Sequence, residues 1–187
     1  MFLRDENGEE VDIGAELLSN NDPSQPAARY LGFGRQLVAP DGSLIAAEAL
    51  RADRSGADLV LFDKQGQEKK SQNAPGYWTR PVAFGSDGTL YYLTIACESD
   101  AVQSYILAAR PSSGADTTIA SGHSLGSFGG FIALEKGLAY VTHTATGATS
   151  ISSAAQSAGP GTLWFWDLAD GRTRLVEVTD SISAIGQ

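Results

Sequence analysis

Cysteine, methionine and histidine are scarce in this chain of 187 residues, which contains one Cys, one Met and two His. The single thiol, Cys97, cannot form an internal disulfide or a cysteine zinc site, and its strand-like surroundings predict a buried, inert side chain. The two histidines do not have the spacing of metal ligands, and no glycine loop of the phosphate-binding type is present. We therefore expect no metal and no cofactor.

Positive charge is also scarce, because 13 Lys and Arg residues stand against 22 Asp and Glu, which gives a net charge of −9. Such a field repels phosphate, so we expect neither nucleic acid nor an anionic membrane surface as a partner. No apolar run approaches the ~20 residues that span a bilayer. The first residues do not form a signal peptide, so we expect a soluble chain. Its compartment is unknown, and an extracytoplasmic origin is compatible with a leader that has been removed.

Glycine is abundant, at 21 residues, and many turns between short strands are therefore expected. One repeated pattern is an apolar run, then Asp, then a turn that ends in Gly. From Asp5 to Asp63 is 58 positions, and from Asp63 to Asp167 is 104 positions, or two steps of 52. The copies occupy residues 2–8, 59–66 and 163–171, with a degenerate copy at 105–114.

A second pattern alternates with the first and consists of a strand, an Asp-Gly type of turn and another strand. Its copies occupy residues 37–47, 81–92 and 131–141. Asp-Gly suits a tight hairpin, because both residues tolerate a positive φ. Two alternating hairpins give four antiparallel strands in about 46–52 residues, close to the blade spacing of β-propellers. The sequence therefore predicts an all-β fold of four-stranded propeller blades.

The hairpin copies around Asp41-Gly42 and Asp87-Gly88 resemble the Pro-Asp-Gly hairpin of TolB-type and related bacterial propeller repeats. The resemblance covers about residues 1–14 and 35–187. The third copy departs from it, with Glu135-Lys136-Gly137 in place of Pro-Asp-Gly. What the resemblance implies is a propeller fold, since these short motifs are common among propellers of many functions.

The repeats predict a single propeller domain, or a segment of one, over residues 1–187. We expect an outer hairpin of a split blade at residues 1–14 and full blades at 35–78, 79–122 and 127–179. Closed propellers need 4–8 blades, so either the two chain ends share a fourth blade or the chain is part of a larger assembly. A protein partner or a homo-oligomer is therefore expected. Residues 142–161 are small and polar, and we interpret them as a long connection that either binds a ligand or is a plain insertion.

One motif points to catalysis, because residues 122–126 read Gly-His-Ser-Leu-Gly and place Ser124 in a G-x-S-x-G pattern. The same pattern forms the nucleophile elbow of α/β-hydrolases. The partners that follow Ser124 are only Glu135 and His143, within about 20 residues, and the next segment looks like a hairpin instead of a helix. We therefore interpret the motif as a linker between blades, with Ser124 as the one weak catalytic candidate.

Three functions remain open at this stage. The first is a non-catalytic propeller that mediates protein–protein binding or assembly, as a scaffold. The second is an enzyme, either through Ser124 as an esterase or as the propeller portion of a prolyl-oligopeptidase-like hydrolase. The third is a propeller that binds a carbohydrate or another small ligand through aromatic side chains and the 142–161 loop. Trp164, Phe165 and Trp166 are expected to pack between blades, whereas Tyr77 and Trp78 have no assigned role.

Overall fold

The computed structural model describes residues 2–4, 10–12, 29–72, 76–97, 103–124, 127–145 and 158–179. In these ranges every regular element is a strand. The strands are β1 Phe2–Arg4, β2 Glu10–Asp12, β3 Tyr30–Val38, β4 Leu44–Arg51, β5 Ala57–Asp63, β6 Glu68–Gln72, β7 Tyr77–Phe84, β8 Leu90–Cys97, β9 Gln103–Arg110, β10 Thr117–Ser124, β11 Ser127–Leu134, β12 Gly137–Ala145, β13 Ala158–Asp167 and β14 Thr173–Thr179.

From β3 onward, the strands form three successive groups of four, and consecutive strands in each group are hydrogen-bonded neighbours. The groups are β3 to β6, β7 to β10 and β11 to β14. The predicted all-β fold of four-stranded antiparallel blades is therefore confirmed. The division of residues 1–187 into the blade boundaries given above, with residues 1–14 as a split hairpin, stays a prediction.

The chain divides into two compact units, Met1–Pro81 and Val82–Gln187. In the first unit, β1 pairs with β2 and the meander β3 to β6 forms the main sheet. β5 lies at the centre of this sheet, and six of its seven residues are buried. One face carries a cluster of Tyr30, Ile45, Ala47, Ala49, Val60 and Phe62. Near-complete burial, instead of strict alternation, is what a strand with two covered faces requires.

The hairpin turns follow from Asp and Gly together. In the turn of residues 39–42, the Gly42 amide donates to the Ala39 carbonyl at 2.9 Å, and Gly42 has a φ of 68°. The Asp41 carboxylate accepts from the Ser43 amide at 3.0 Å. The β5–β6 turn also uses an Asp and a Gly, but the two residues are farther apart. Asp63 stands first in this turn, and Gly66 adopts a φ of 81°. Both predicted hairpin patterns thus have a local physical cause.

In the second unit, two sheets pack face to face. Val82, Tyr91 and Leu107 from β7 to β9 share one core with Leu138 and Trp166 from β12 and β13. The Tyr91 and Trp166 rings meet edge to face, with centroids 6.0 Å apart. Burial, followed by the charge of Asp87, raises the pKa of Tyr91 to about 12.

The two tryptophans of the aromatic run on β13 pack as the sequence predicted, whereas Phe165 is not part of this core. The side chain of Trp166 is 3% exposed within this core. Trp164 packs against the core, and its indole N–H donates to the Thr142 hydroxyl at 2.9 Å.

One expectation changes in detail, and one falls outside what the structure describes. The stretch 142–161 is strand at both ends, because β12 continues to Ala145 and β13 begins at Ala158, with Ala145 opposite Ala158. Small polar residues pair well enough there to extend the ladder, so the expected connection is shorter, and residues 146–157 lie outside the described residues. Cys97 ends β8, and its predicted burial also lies outside what the structure describes.

Gly137 begins β12 with a φ of 153°, and a Cβ at this position would lie 1.8 Å from the Trp166 carbonyl oxygen. Because the strand backbones cannot separate without losing ladder hydrogen bonds, we expect Gly137→Ala to lower the free energy of unfolding by about 3 kcal/mol or more. Gly171→Ala is the matched control: its φ is 66°, but nothing lies within 4 Å. It should cost about 1 kcal/mol. Urea unfolding followed by tryptophan fluorescence measures both, and equal losses would contradict the argument.

The Asp63 carboxylate accepts hydrogen bonds from the backbone amides of Gln65 and Gln67, and it lies 2.8 Å from the Lys69 ammonium. The bond from Lys69, then the one from the Gln67 amide, lowers the pKa of Asp63. A folded pKa below the unfolded value of about 3.9 means that this stabilisation is present above pH 4 and is lost as the pH falls through the folded pKa.

We therefore expect Asp63→Asn to lower the melting temperature at neutral pH, and the gap to wild type to shrink between about pH 5 and pH 2. Thermal unfolding across this range measures the effect. Glu135→Gln, which removes one charge from another exposed turn, is the control and should show a smaller gap. A gap for Asp63→Asn that stays constant down to pH 2 would contradict the assignment.

Candidate functional site

Ser124, the weak catalytic candidate, is the last residue of β10, and its backbone pairs with Gln103 of β9. The next described element is β11, which begins at Ser127. A nucleophile elbow needs a helix directly after the serine, and here a second strand follows within three residues. The backbone around Ser124 therefore lacks the strand–turn–helix order that exposes a nucleophile in hydrolases.

Glu135 and His143, which the motif would need as partners of Ser124, lie at opposite ends of β12. Glu135 is exposed in the turn before the strand, and His143 is buried near the other end, opposite Ser127 and Gly161. The six steps from Gly137 to His143 span about 20 Å at the rise of an extended strand. The strand thus holds Glu135 and His143 far apart.

A buried cluster in the first unit joins an arginine, an aspartate and a tyrosine. Arg51 donates through Nε and Nη2 to Asp58 Oδ1 at 2.7 and 2.5 Å. The Tyr30 hydroxyl donates to Asp58 Oδ2 at 3.0 Å. Burial, followed by the charge of Asp58, raises the pKa of Tyr30 well above its ordinary value. These groups satisfy one another at the ends of β3, β4 and β5, which indicates a structural role.

The second unit repeats this chemistry with different residues. Arg110 forms a fork with Asp116, at 2.9 Å from Nε and 2.7 Å from Nη2, and the Tyr92 hydroxyl donates to the same carboxylate at 2.7 Å. The Arg110 guanidinium also lies 5.0 Å from the centre of the Tyr92 ring. Charged groups that are engaged in this way hold strand ends together and are not available for chemistry.

A surface groove in the first unit is different, because its lining is exposed and apolar. It has a volume of about 270 Å³ and lies between β3, β4 and the start of β7. Leu31 and Trp78, which both line the groove, are 44% and 40% exposed, so two large apolar side chains present their surface at one place. The backbone of Trp78 is fixed beside Ala57 of β5 by a parallel bridge. The remaining lining residues are Gly32, Phe33, Gly34, Glu48 and Leu50.

Glu48 is the charged member of this groove, and it stands in the middle of β4. Phe33 pairs with Ala49 and Gln36 with Ala47, so Gly34 and Arg35 together oppose Glu48 as a β-bulge. Bulges re-aim side chains and are common beside functional sites. The Arg35 amide donates to Glu48 Oε2 at 3.3 Å, a long hydrogen bond.

Gly34 makes room for the Glu48 carboxylate. A Cβ on Gly34 would lie 2.7 Å from Glu48 Oε2, so the carboxylate rests directly on the glycine backbone. The ion pairs found among the described residues do not include Glu48. The groove thus combines an exposed indole, aliphatic side chains and a carboxylate without a cationic partner in that part of the chain.

Sequence reasoning named Trp78 without a role and missed Glu48. A pattern that could have found Glu48 was present, because it is the one charged residue in the apolar run of residues 44–50. A charge at such a position breaks the local rule for a buried strand. Gly32 and Gly34 within β3 were a second indication, since glycine inside a strand often marks a bulge or a close approach.

Neither a metal cluster nor a membrane helix is found in the described ranges. No group of three or more His, Cys, Asp or Glu side chains gathers there in a way that could hold a metal ion. The same ranges contain no helix with the length and apolar character needed to cross a bilayer. The groove between β3, β4 and β7 is a candidate binding site in this part of the chain.

Comparison with known proteins shows a shared fold. No family model matches the chain, and no curated protein matches it. The crystal structure of Porphyromonas gingivalis dipeptidyl peptidase 4 is similar over 79% of this chain, with 14% identity and a TM-score of 0.50. This chain spans only 18% of that protein's length. Since the peptidase contains a β-propeller, the likeness supports the propeller fold and nothing more specific.

A second solved structure, of putative TolB from Agrobacterium tumefaciens, aligns with 94% of this chain and 73% of that protein. The two are 11% identical, and the TM-score is 0.34. A score this low carries no argument about function or family.

Proposed function

We propose that this chain is a non-catalytic β-propeller module, of the TolB-like kind that the hairpin motifs resemble, and that it mediates protein–protein binding. The observation that carries the proposal is the groove, in which Leu31 and Trp78 expose apolar surface beside the β3 bulge. Strands β3, β4 and β7 hold this lining, so the site is built on rigid elements.

The size of the groove favours a side chain of a protein over a free small molecule. Pockets for drug-sized ligands usually measure about 300–1,000 Å³, and this groove, at about 270 Å³, is smaller and open to solvent. One or two protruding side chains occupy such a volume. Exposed tryptophan is also the residue type that most often dominates binding energy at protein interfaces.

A peptide selection tests the proposal. Short random peptides displayed on phage are selected against the intact chain and are then measured against Trp78→Ser. We expect the selected peptides to lose at least about tenfold in affinity, because truncating a central tryptophan removes most of its contact area. Leu134→Ser is the matched control, since Leu134 is 45% exposed on β11 and lies outside the groove.

The two variants should melt close to wild type, because both side chains are partly exposed. Peptides that bind Trp78→Ser and wild type equally would contradict the proposed site, and a failure to select any peptide would do the same. Light scattering on the chain gives the mass in solution, which tests separately whether the expected partner is a second copy.

A second candidate function is supported by the fold likeness to dipeptidyl peptidase 4. In that reading the chain is the propeller portion of a peptidase, as one of the sequence hypotheses holds. Ser124 offers the alternative route to catalysis within this chain. The Ser124 reading requires hydrolysis by this chain, whereas the propeller portion of a peptidase would be inactive alone and the binding module requires no hydrolysis.

We expect no hydrolysis of a nitrophenyl ester or a dipeptidyl anilide above background, and no difference between wild type and Ser124→Ala. The physical reason is that Ser124 ends a strand and is followed by another strand. Release of the chromophore is the measurement, and Ser86→Ala, in an exposed turn, is the control. Activity that Ser124→Ala abolishes would overturn the non-catalytic proposal, and activity of the native protein on the anilide would favour the peptidase reading.

A further inference from the structure

The groove is more selective than a purely apolar patch, because the Glu48 carboxylate in its lining favours a positively charged group. We propose that it binds an arginine side chain presented by the protein partner, with the guanidinium against the Trp78 ring and the Glu48 carboxylate. This inference rests on the proposed function and names the chemistry of the partner at that site.

The first step is the unused capacity of Glu48. An ionised carboxylate offers about four acceptor positions, and the hydrogen bond described for Glu48 is the long one from the Arg35 amide. The side chain is half-buried, so water satisfies it less fully than it would at an open surface. A cation that enters the groove would supply charge-assisted hydrogen bonds at this carboxylate, which are about twice as strong as neutral ones.

The second step is the aromatic surface. Trp78 carries an indole, the aromatic ring on which cations bind best, and it is a 40% exposed member of the groove lining. Leu31 and Leu50 add aliphatic surface for the methylene stem of a long side chain. A lining with an indole, aliphatic carbons and a carboxylate matches the stem and the head of an arginine.

The third step separates arginine from its competitors. A planar guanidinium both stacks on an indole and forks onto a carboxylate, whereas a lysine ammonium is a strongly hydrated point charge that does neither as well. An acidic side chain would be repelled by Glu48 and by the net charge of −9, and the same charge attracts basic segments over longer distances. A neutral apolar side chain would leave the carboxylate desolvated without a partner.

The test uses N-acetyl-arginine amide as the probe and the indole N–H resonances of the intact chain as the readout. The chain has three tryptophans, and Trp78→Phe identifies the Trp78 resonance. We expect the arginine probe to shift this resonance and to leave those of Trp164 and Trp166 in place, since both lie in the other unit. N-acetyl-citrulline amide, which has nearly the same shape without the charge, should bind at least about tenfold more weakly.

Glu48→Gln separates charge from shape, because glutamine keeps the size of the side chain and an acceptor for the Arg35 amide. We expect it to weaken the arginine probe about tenfold or more, while Glu135→Gln, a charge removed from an exposed turn, leaves the affinity unchanged. Binding should also weaken as salt is added, because the site is partly exposed.

The outcomes separate a failure of the arginine assignment from a failure of the proposed protein-binding function. Equal binding of the arginine and citrulline probes, or an unchanged affinity in Glu48→Gln, would overturn the arginine assignment. If the selected peptides then still depended on Trp78 but lacked arginine, the groove would remain a protein-binding site of another chemistry. If no probe moved the Trp78 resonance up to its solubility limit, the arginine assignment would be wrong, and the peptide selection would decide the proposed function alone.

Discussion

A sheet of four short strands has two faces and cannot cover either of them by itself. The rest of this structure follows from that constraint. In the second unit, Tyr91 and Trp166 meet edge to face between two such sheets, and a core forms where neither sheet has one alone. In the first unit, β5 is buried along almost its whole length, which only a strand covered on both faces can be. Packing of this kind needs blades of constant geometry, and the hairpin turns provide that constant geometry.

The turns are also the part of the fold that sequence predicts best, because their causes lie within a few residues. Asp63 and Gly66 fix a hairpin through bonds that reach no farther than the turn itself and one neighbouring lysine. Gly42 and Gly88 adopt the positive φ that the Asp-Gly pattern implies. Where the pattern changes, as at Gly137, a glycine is still required, but for a different reason: a close backbone contact with the next strand.

Interactions between distant residues were not predictable in the same way. Tyr30 reaches Asp58 across 28 positions, and Tyr92 reaches Asp116 across 24, and nothing local marks these residues as partners. The groove is a stronger case, because it depends on a bulge that places Gly34 and Arg35 together against one residue of β4. A one-residue change of register decides which side chains share a face, and sequence pattern alone does not fix that register.

The fold alone does not account for the charge of Glu48. Neighbouring positions of β4 are alanine and leucine, and a carboxylate placed among them loses hydration that an apolar side chain would not. If its task were only to accept the Arg35 amide at the bulge, a neutral glutamine would serve equally well. The backbone instead gives up a side chain at position 34 so that a charged group can lie there. A carboxylate that costs hydration, needs a glycine beside it and forms no ion pair within the described residues supports the proposed arginine of a partner.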